Sequence, residues 1–266
     1  MAQSWQIDRL RVLAAAAEPA EPRPGDTVTF SSLTVSPAEP WGGTVWLACE
    51  GITPCTLDPS ALSDSGATSD AALIGFEPDL PPSLIVPLDF LDALEPDARQ
   101  EGAITMLSII AFLEGFDLQS AEADFEDLAA DAEITYKRLP VSEAITPNHN
   151  PTIVGLEVEG VPVAEGTLVE LDRGQPYTIT PVLSEDSLEA YTYRNTDGVE
   201  EARVEQPWFT WYLQEGAFDQ AYTLYPEVDV DYYAPTSPKA ESGSLWVVVR
   251  DRRGGMAWRE LGIRWR

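Results

Sequence analysis

SLWVVVRDRRGGMAWRELGIRWR, residues 244–266, is the stretch whose reading decides the fold. Leu245 to Val249 is a β-branched and aromatic run. Asp251-Arg252-Arg253-Gly254-Gly255 is turn chemistry, because its two glycines accept positive φ without a Cβ clash. From Met256 to Trp265, outward Arg259, Glu260 and Arg264 alternate with apolar neighbours. Strand, tight turn, strand predicts a closing β-hairpin of the kind that completes a β-sandwich.

The same plan is written twice in the chain. RPGDTVTFSSLTVSP (Arg23–Pro37) and DRGQPYTITPVLSED (Asp172–Asp186) are each a turn followed by an alternating strand. Each leads to an aromatic strand ending in a glycine turn, Thr44–Gly51 and Phe209–Gly216. Each half closes on two strands, Ala103–Glu114 with Ala132–Ser142 and Ser244–Arg250 with Met256–Trp265. Each opens on one strand, Gln6–Ala14 and Thr152–Glu159. Many short strands between turns predict an all-β fold of two tandem sandwiches, residues 1–146 and 152–266. TPNHNPT (Thr146–Thr152) marks the boundary, with 147–151 as a short, stiff linker.

Two regions depart from a plain sandwich. Pro78–Gln100, rich in proline and acid, reads as an irregular edge strand followed by a helical turn. Phe116–Asp131 sets Phe116, Leu118, Phe125 and Leu128 among acids and alanines, which predicts a short amphipathic helix inserted in the first domain. Ile104–Leu113 (ITMLSIIAFL) has no clean period. Its place in the repeat predicts a strand.

The 266 residues carry a net charge of −29, from 16 basic and 45 acidic side chains. Phosphate contacts need a basic face, so nucleic acid is not an expected partner. The acidity reads as solubility or adaptation to salt, or else as a surface for cations or a basic partner. It is uneven. Residues 1–146 sum to −19 and residues 147–266 to −10, and six of the ten basic residues of the second part lie between Arg250 and Arg266. The closing hairpin is therefore a local positive patch, able to pair with acid on its own chain or on a neighbour. The longest apolar run, Ile104–Leu113, is too short to span a bilayer as a helix. Met1-Ala2-Gln3-Ser4 reads as a start set before an already trimmed chain, as in a secreted protein or lipoprotein without its leader, or else as the start of a cytoplasmic protein.

Cys49 and Cys55 are separated by five residues that include Gly51 and Pro54. That spacing brings two Cα atoms within bridging range and is read as a local disulfide, hence an oxidising compartment. The alternative is a pair of reduced thiols. Zinc lacks further ligands nearby, since His149 is the sole histidine.

RPGDTVTF, the tryptophan of WFTWYL (Trp211) and VVVRDRRGG resemble immunoglobulin-like sandwiches of the PKD or bacterial Ig type. Trp46–Cys49 with Cys55, and Asn148, Asn150 and Pro151 before the second domain, resemble bacterial cell-surface lipoproteins. The likeness covers most of the chain except 60–100 and 116–131. It implies two tandem Ig-like domains, an extracytoplasmic, outer-membrane or cell-surface location, and membrane attachment only through an N-terminal lipid anchor lying outside this sequence.

No catalytic constellation is legible. A nucleophilic triad must use His149, which lies in a Pro/Asn linker, and no GxSxG motif occurs. No carboxylate pair stands out from the many present. Glu227, Asp229 and Asp231 offer oxygen ligands of the kind Ca²⁺ accepts, with an acidic edge-strand face as the other reading. No other cofactor is expected. Trp208 and Tyr212 share one strand face, Phe209 and Trp211 the other, and the second pair is assigned to the core. Trp208, Tyr212, Tyr232 and Tyr233 then read as an aromatic platform, and Arg250, Arg252 and Arg253 as a basic patch beside it. The functional expectation is a non-enzymatic extracytoplasmic module: an adhesin, a scaffold or a subunit that binds a protein or its own copies. The alternative is a carbohydrate-binding module using the Trp/Tyr surface.

Overall fold

A strand with apolar residues on one face must bury that face against a second layer. This chain solves the problem twice by the same device, a buried indole on an inner strand. The computed structural model describes residues 5–37, 40–49, 71–115, 132–194 and 198–266. Their contacts divide into two compact units, Arg9–Asn148 and His149–Arg266 together with Met1–Asp8.

In the unit Arg9–Asn148, β1 (Arg11–Glu18), β2 (Thr27–Val35) and β5 (Ser83–Ile85) form one antiparallel sheet. The other runs β4 (Ala71–Glu77), β3 (Trp41–Cys49), β6 (Ala103–Leu113), β7 (Ala132–Val141). This is the immunoglobulin order, with strands A, B and E facing C′, C, F and G. Trp46 of β3 is fully buried and stacks on Phe30 of β2, with ring centres 5.4 Å apart. Its indole N–H donates to Glu77 of β4 at 2.9 Å. Leu107, Ile109, Leu139 and Val141 complete this core. On the opposite face of the same sheet, Val45, Leu47, Ile110 and Phe112 form a second cluster. Burial on both faces explains the missing period of ITMLSIIAFL, which is a strand as expected. The Pro-rich stretch holds edge strand β5 and a short helix, α1 (Pro96–Glu101). The helix expected over 116–131 lies outside the described residues.

In the second unit one sheet runs β15 (Ala217–Phe218), β17 (Val230–Tyr233), β11 (Pro176–Leu183), β8 (Ile153–Val158), β9 (Val161–Val163). The other runs β10 (Leu168–Leu171), β19 (Met256–Trp265), β18 (Ser242–Arg250), β14 (Trp208–Leu213), β16 (Tyr222–Leu224). The closing hairpin is β18–β19, in register from Arg250↔Met256 to Ser242↔Arg264. β10 joins the free edge of β19 in parallel. Phe209 and Trp211 are fully buried between the sheets. The Trp211 N–H donates to Thr223 of β16 at 3.2 Å, matching the Trp46–Glu77 arrangement. The repeat read in the sequence therefore falls on equivalent strands, and the chain is all-β with two tandem Ig-like sandwiches.

The expected opening strand Gln6–Ala14 divides. β1 begins at Arg11, whereas Gln6 forms a parallel bridge with Leu213 of β14. The Ile7 N–H donates to Leu213 O at 2.8 Å, and the Leu213 N–H to Trp5 O at 3.0 Å. Ile7 is buried and Trp5 packs against the second core.

Truncation of Phe209 to Ala removes a ring from the middle of this core. It should lower stability by about 3–5 kcal/mol, read as a shift in the urea midpoint with the slope unchanged.

Candidate functional site

Between β11 and β14 the chain builds a hairpin of its own. β12 (Ala190–Arg194) pairs with β13 (Glu200–Val204), in register from Ala190↔Val204 to Arg194↔Glu200. It joins no other described strand. Tyr191, Tyr193, Glu201 and Arg203 share one face by alternation. Arg203 lies 3.8 Å from the centre of the Tyr193 ring and pairs with Glu201 at 2.7 Å. Arg194 pairs with Glu200 at 3.0 Å. The hairpin is closed at its base by the Glu205 N–H donating to Glu189 O, 2.9 Å.

The turn between β18 and β19 folds around one carboxylate. Asp251 Oδ1 accepts the N–H groups of Arg253, Gly254 and Gly255 at 2.7, 3.0 and 3.0 Å. Gly254 takes positive φ as expected, and so does Arg252, at 75°. Gly255 is needed for a different reason. A Cβ there would collide with the Asp251 carboxylate and the His149 carbonyl. The Met256 N–H donates to Asn150 Oδ1 at 3.0 Å, so a linker residue fixes the start of β19.

Arg253 ties the turn to the hairpin. Its Nη1 donates to Glu205 Oε1 at 3.0 Å and to Glu189 Oε2 at 3.2 Å. Its guanidinium lies 4.7 Å from the centre of the Tyr191 ring. The Glu205 side chain is only 2% exposed. Burial, then the charge of Asp251, push the Glu205 carboxyl up to about 7, against the pull of Arg253. His149 is 67% exposed and meets Glu189 Oε1 at 2.6 Å. Tyr191, Arg203, Val204, Gln206, Asp251 and Arg252 line an open cleft between hairpin and turn. Exposed tyrosine and arginine on a braced loop pair are interface chemistry.

The aromatic platform is not assembled as expected. Tyr232 is fully buried. Its hydroxyl donates to Glu215 O at 3.1 Å and accepts the Trp265 N–H at 3.0 Å. Burial pushes its pKa up to about 12. Tyr233, 46% exposed, faces outward from the sheet that contains β17, whereas Trp208 and Tyr212 face outward from the sheet that contains β14. The two sheets are opposite layers, so Tyr233 cannot join the other two. The pairings Trp208↔Leu224 and Thr210↔Tyr222 place Leu224 and Tyr222 beside Trp208 instead.

The basic patch is neutralised in part, at Arg253. Arg250 lies over Trp208 and donates to Thr210 at 3.0 Å. Arg259 pairs with Glu165 and donates to Ile153 O, and Arg266 pairs with Glu170 and Asp172. Among the described residues, Arg252 and Arg264 have no ion pair.

The calcium reading fails on geometry. Asp229 and Asp231 accept separate hydroxyls, from Thr180 at 2.7 Å and Thr178 at 3.0 Å, and Glu227 forms a backbone bridge to Leu224. No three acidic, histidine or cysteine residues converge for a metal among the described residues. Cys49 is buried at the end of β3 and is not a free thiol. Cys55 lies outside the described residues.

No protein-family model matches the chain. No curated protein matches it either. Among solved structures it is similar to the N-terminal Ig1-2 module of the Drosophila receptor protein tyrosine phosphatase DLAR, at 11% identity and a TM-score of 0.27 over 97% of this chain and 99% of that one. The two tandem V-type regions of VCBP3, a v-region-containing chitin binding protein, give 11% identity and a TM-score of 0.29 over 96% and 100%. The D0-D1 domain of intimin gives 9% and 0.24 over 95% and 98%. The fold assignment rests on the strand order itself.

Two glycine substitutions separate turn packing from general glycine effects. Gly255→Ala should lower the melting temperature by several degrees. Gly155→Ala, where a Cβ meets open space, should leave it unchanged or raise it slightly. Thermal melts of the two variants check this.

Proposed function

We propose that this chain is a non-enzymatic interaction module of the cell surface or extracytoplasmic space, and that the tip formed by the β12–β13 hairpin and the 251–255 turn meets a protein partner. The observation that carries the reading is the Arg253 bridge to Glu189 and Glu205, which braces an otherwise isolated, exposed hairpin against the turn. A braced tip loses little conformational freedom when a partner arrives. Tyr193 and Arg252 are its exposed aromatic and basic anchors. The net charge of −29 steers towards a partner with a basic surface and opposes approach of a second copy. The oxidising location rests on a Cys49–Cys55 bridge, and a lipid tether at the N-terminus on the resemblance to surface lipoproteins.

A photo-reactive amino acid at Tyr193, in the native cell, should give one defined adduct that is absent when the label is at exposed Tyr136. Equal adducts from both positions, or none from Tyr193, would sink the reading. Arg252→Glu should reduce the adduct about tenfold or more.

One observation favours a second reading, glycan binding. Trp208 has Leu224 beside it and Tyr222, 63% exposed, one pair further along the same outward face. Stacking on that row would bind a sugar ring. Binding on a glycan array that disappears in both Trp208→Ala and Tyr222→Ala supports it; retention in either variant removes it.

A further inference from the structure

The group at the base of the tip is unusual for a sandwich edge. Glu189 and Glu205 share the guanidinium of Arg253, and the charge of a third carboxylate, Asp251, acts on Glu205. They come from different parts of the chain. Glu189 precedes β12, Glu205 follows β13, and Asp251 with Arg253 lies in the turn. His149 reaches Glu189 from the linker, and the Tyr191 ring covers Arg253 from β12. Asp251 is itself buried and accepts three backbone N–H groups at Oδ1.

Charge counting then favours one occupancy. With Glu205 neutral, Arg253 balances Glu189, and Asp251 is held by the turn amides. With Glu205 ionised, a third negative charge joins those of Glu189 and Asp251 with no added cation. Pairing with Arg253 offsets that in part, but burial and the two acids outweigh it.

We propose that this cluster is a proton-operated lock on the tip: a protonated Glu205 carboxyl holds the β12–β13 hairpin against the 251–255 turn, and its ionisation lets the two separate. The lock rests on the reading of the tip as the interacting surface, whose order it would control.

The sign follows from linkage. An opened tip exposes Glu205 to water, where it loses its proton at the ordinary carboxylate pH. The closed tip retains the proton to about pH 7. Between these values the closed form binds more protons, so opening becomes more favourable as pH rises. The lock is closed in mildly acidic medium, loosens as pH rises towards neutrality, and is fully loosened just above it.

Amide hydrogen exchange on the full chain from pH 5.5 to 8.5, expressed as protection factors, reads the lock without any partner. Protection at 200–205 and 253–255 should fall about tenfold or more over this range. Glu205→Gln should hold protection level. Glu189→Gln removes one neighbouring charge that raises Glu205 and should make the fall smaller over the same pH range. His149→Gln should keep the wild-type profile. A wild-type profile that is flat, a slope that survives Glu205→Gln, or a slope that vanishes in His149→Gln would overturn the proposal. Loss of the Tyr193 adduct with an intact exchange profile would remove the partner reading and leave the lock standing.

Discussion

A buried indole N–H must find an acceptor, and that requirement organises both sandwiches. Trp46 and Trp211 occupy the same strand of their respective units and fill the space between the sheets. Each turns its N–H towards the neighbouring edge strand, to Glu77 and to Thr223. The edge strand must therefore present a polar atom to a side chain of the core. In the second unit Thr223 passes the demand onward, donating to Val228 O at 2.9 Å. In the first, Glu77 also accepts from Ser32 at 2.7 Å, which links the edge to the opposite sheet. Neither edge strand is a free ribbon; each is tied to the core by one polar contact.

In so acidic a chain the arginines are structural fasteners. Arg253, Arg259 and Arg266 each join an element to one far away in sequence. Exposed pairs of this kind contribute little individually. Arg253 differs because its partner is buried and one cation serves two carboxylates. The same scarcity of positive charge that keeps the surface repulsive concentrates electrostatic control at this one place.

The fold was legible because period and punctuation survive in the strands. SLWVVVR and WRELGIRW carry their pairing openly, and the duplicated turn-strand pattern locates the remaining strands. The tip was less so. AYTYRNTDGVEEARV holds an Asp-Gly dipeptide between alternating segments, a hairpin signal that was available. Glu205 carried none, since nothing local distinguishes a buried glutamate among 45 acidic residues. Tyr232 was misplaced for a related reason. Tyr232 and Tyr233 are adjacent tyrosines, and only the register of β17 against β11 decides which one enters the core. The arginines of the closing hairpin stand together in the sequence, but the partners of those that find one lie roughly 40 to 110 residues away.

The short bridge between Gln6 and Leu213 sets an order of events during synthesis. Residues 5–7 leave the ribosome roughly 200 residues ahead of the strand they pair with. At ordinary elongation rates that is a wait of about 10 to 40 seconds. Over that interval Trp5 and Ile7 are apolar residues without their partner strand. The second sandwich can be completed only after β14 has emerged, so residues 5–7 find their place after all of Arg9–Asn148 has been made.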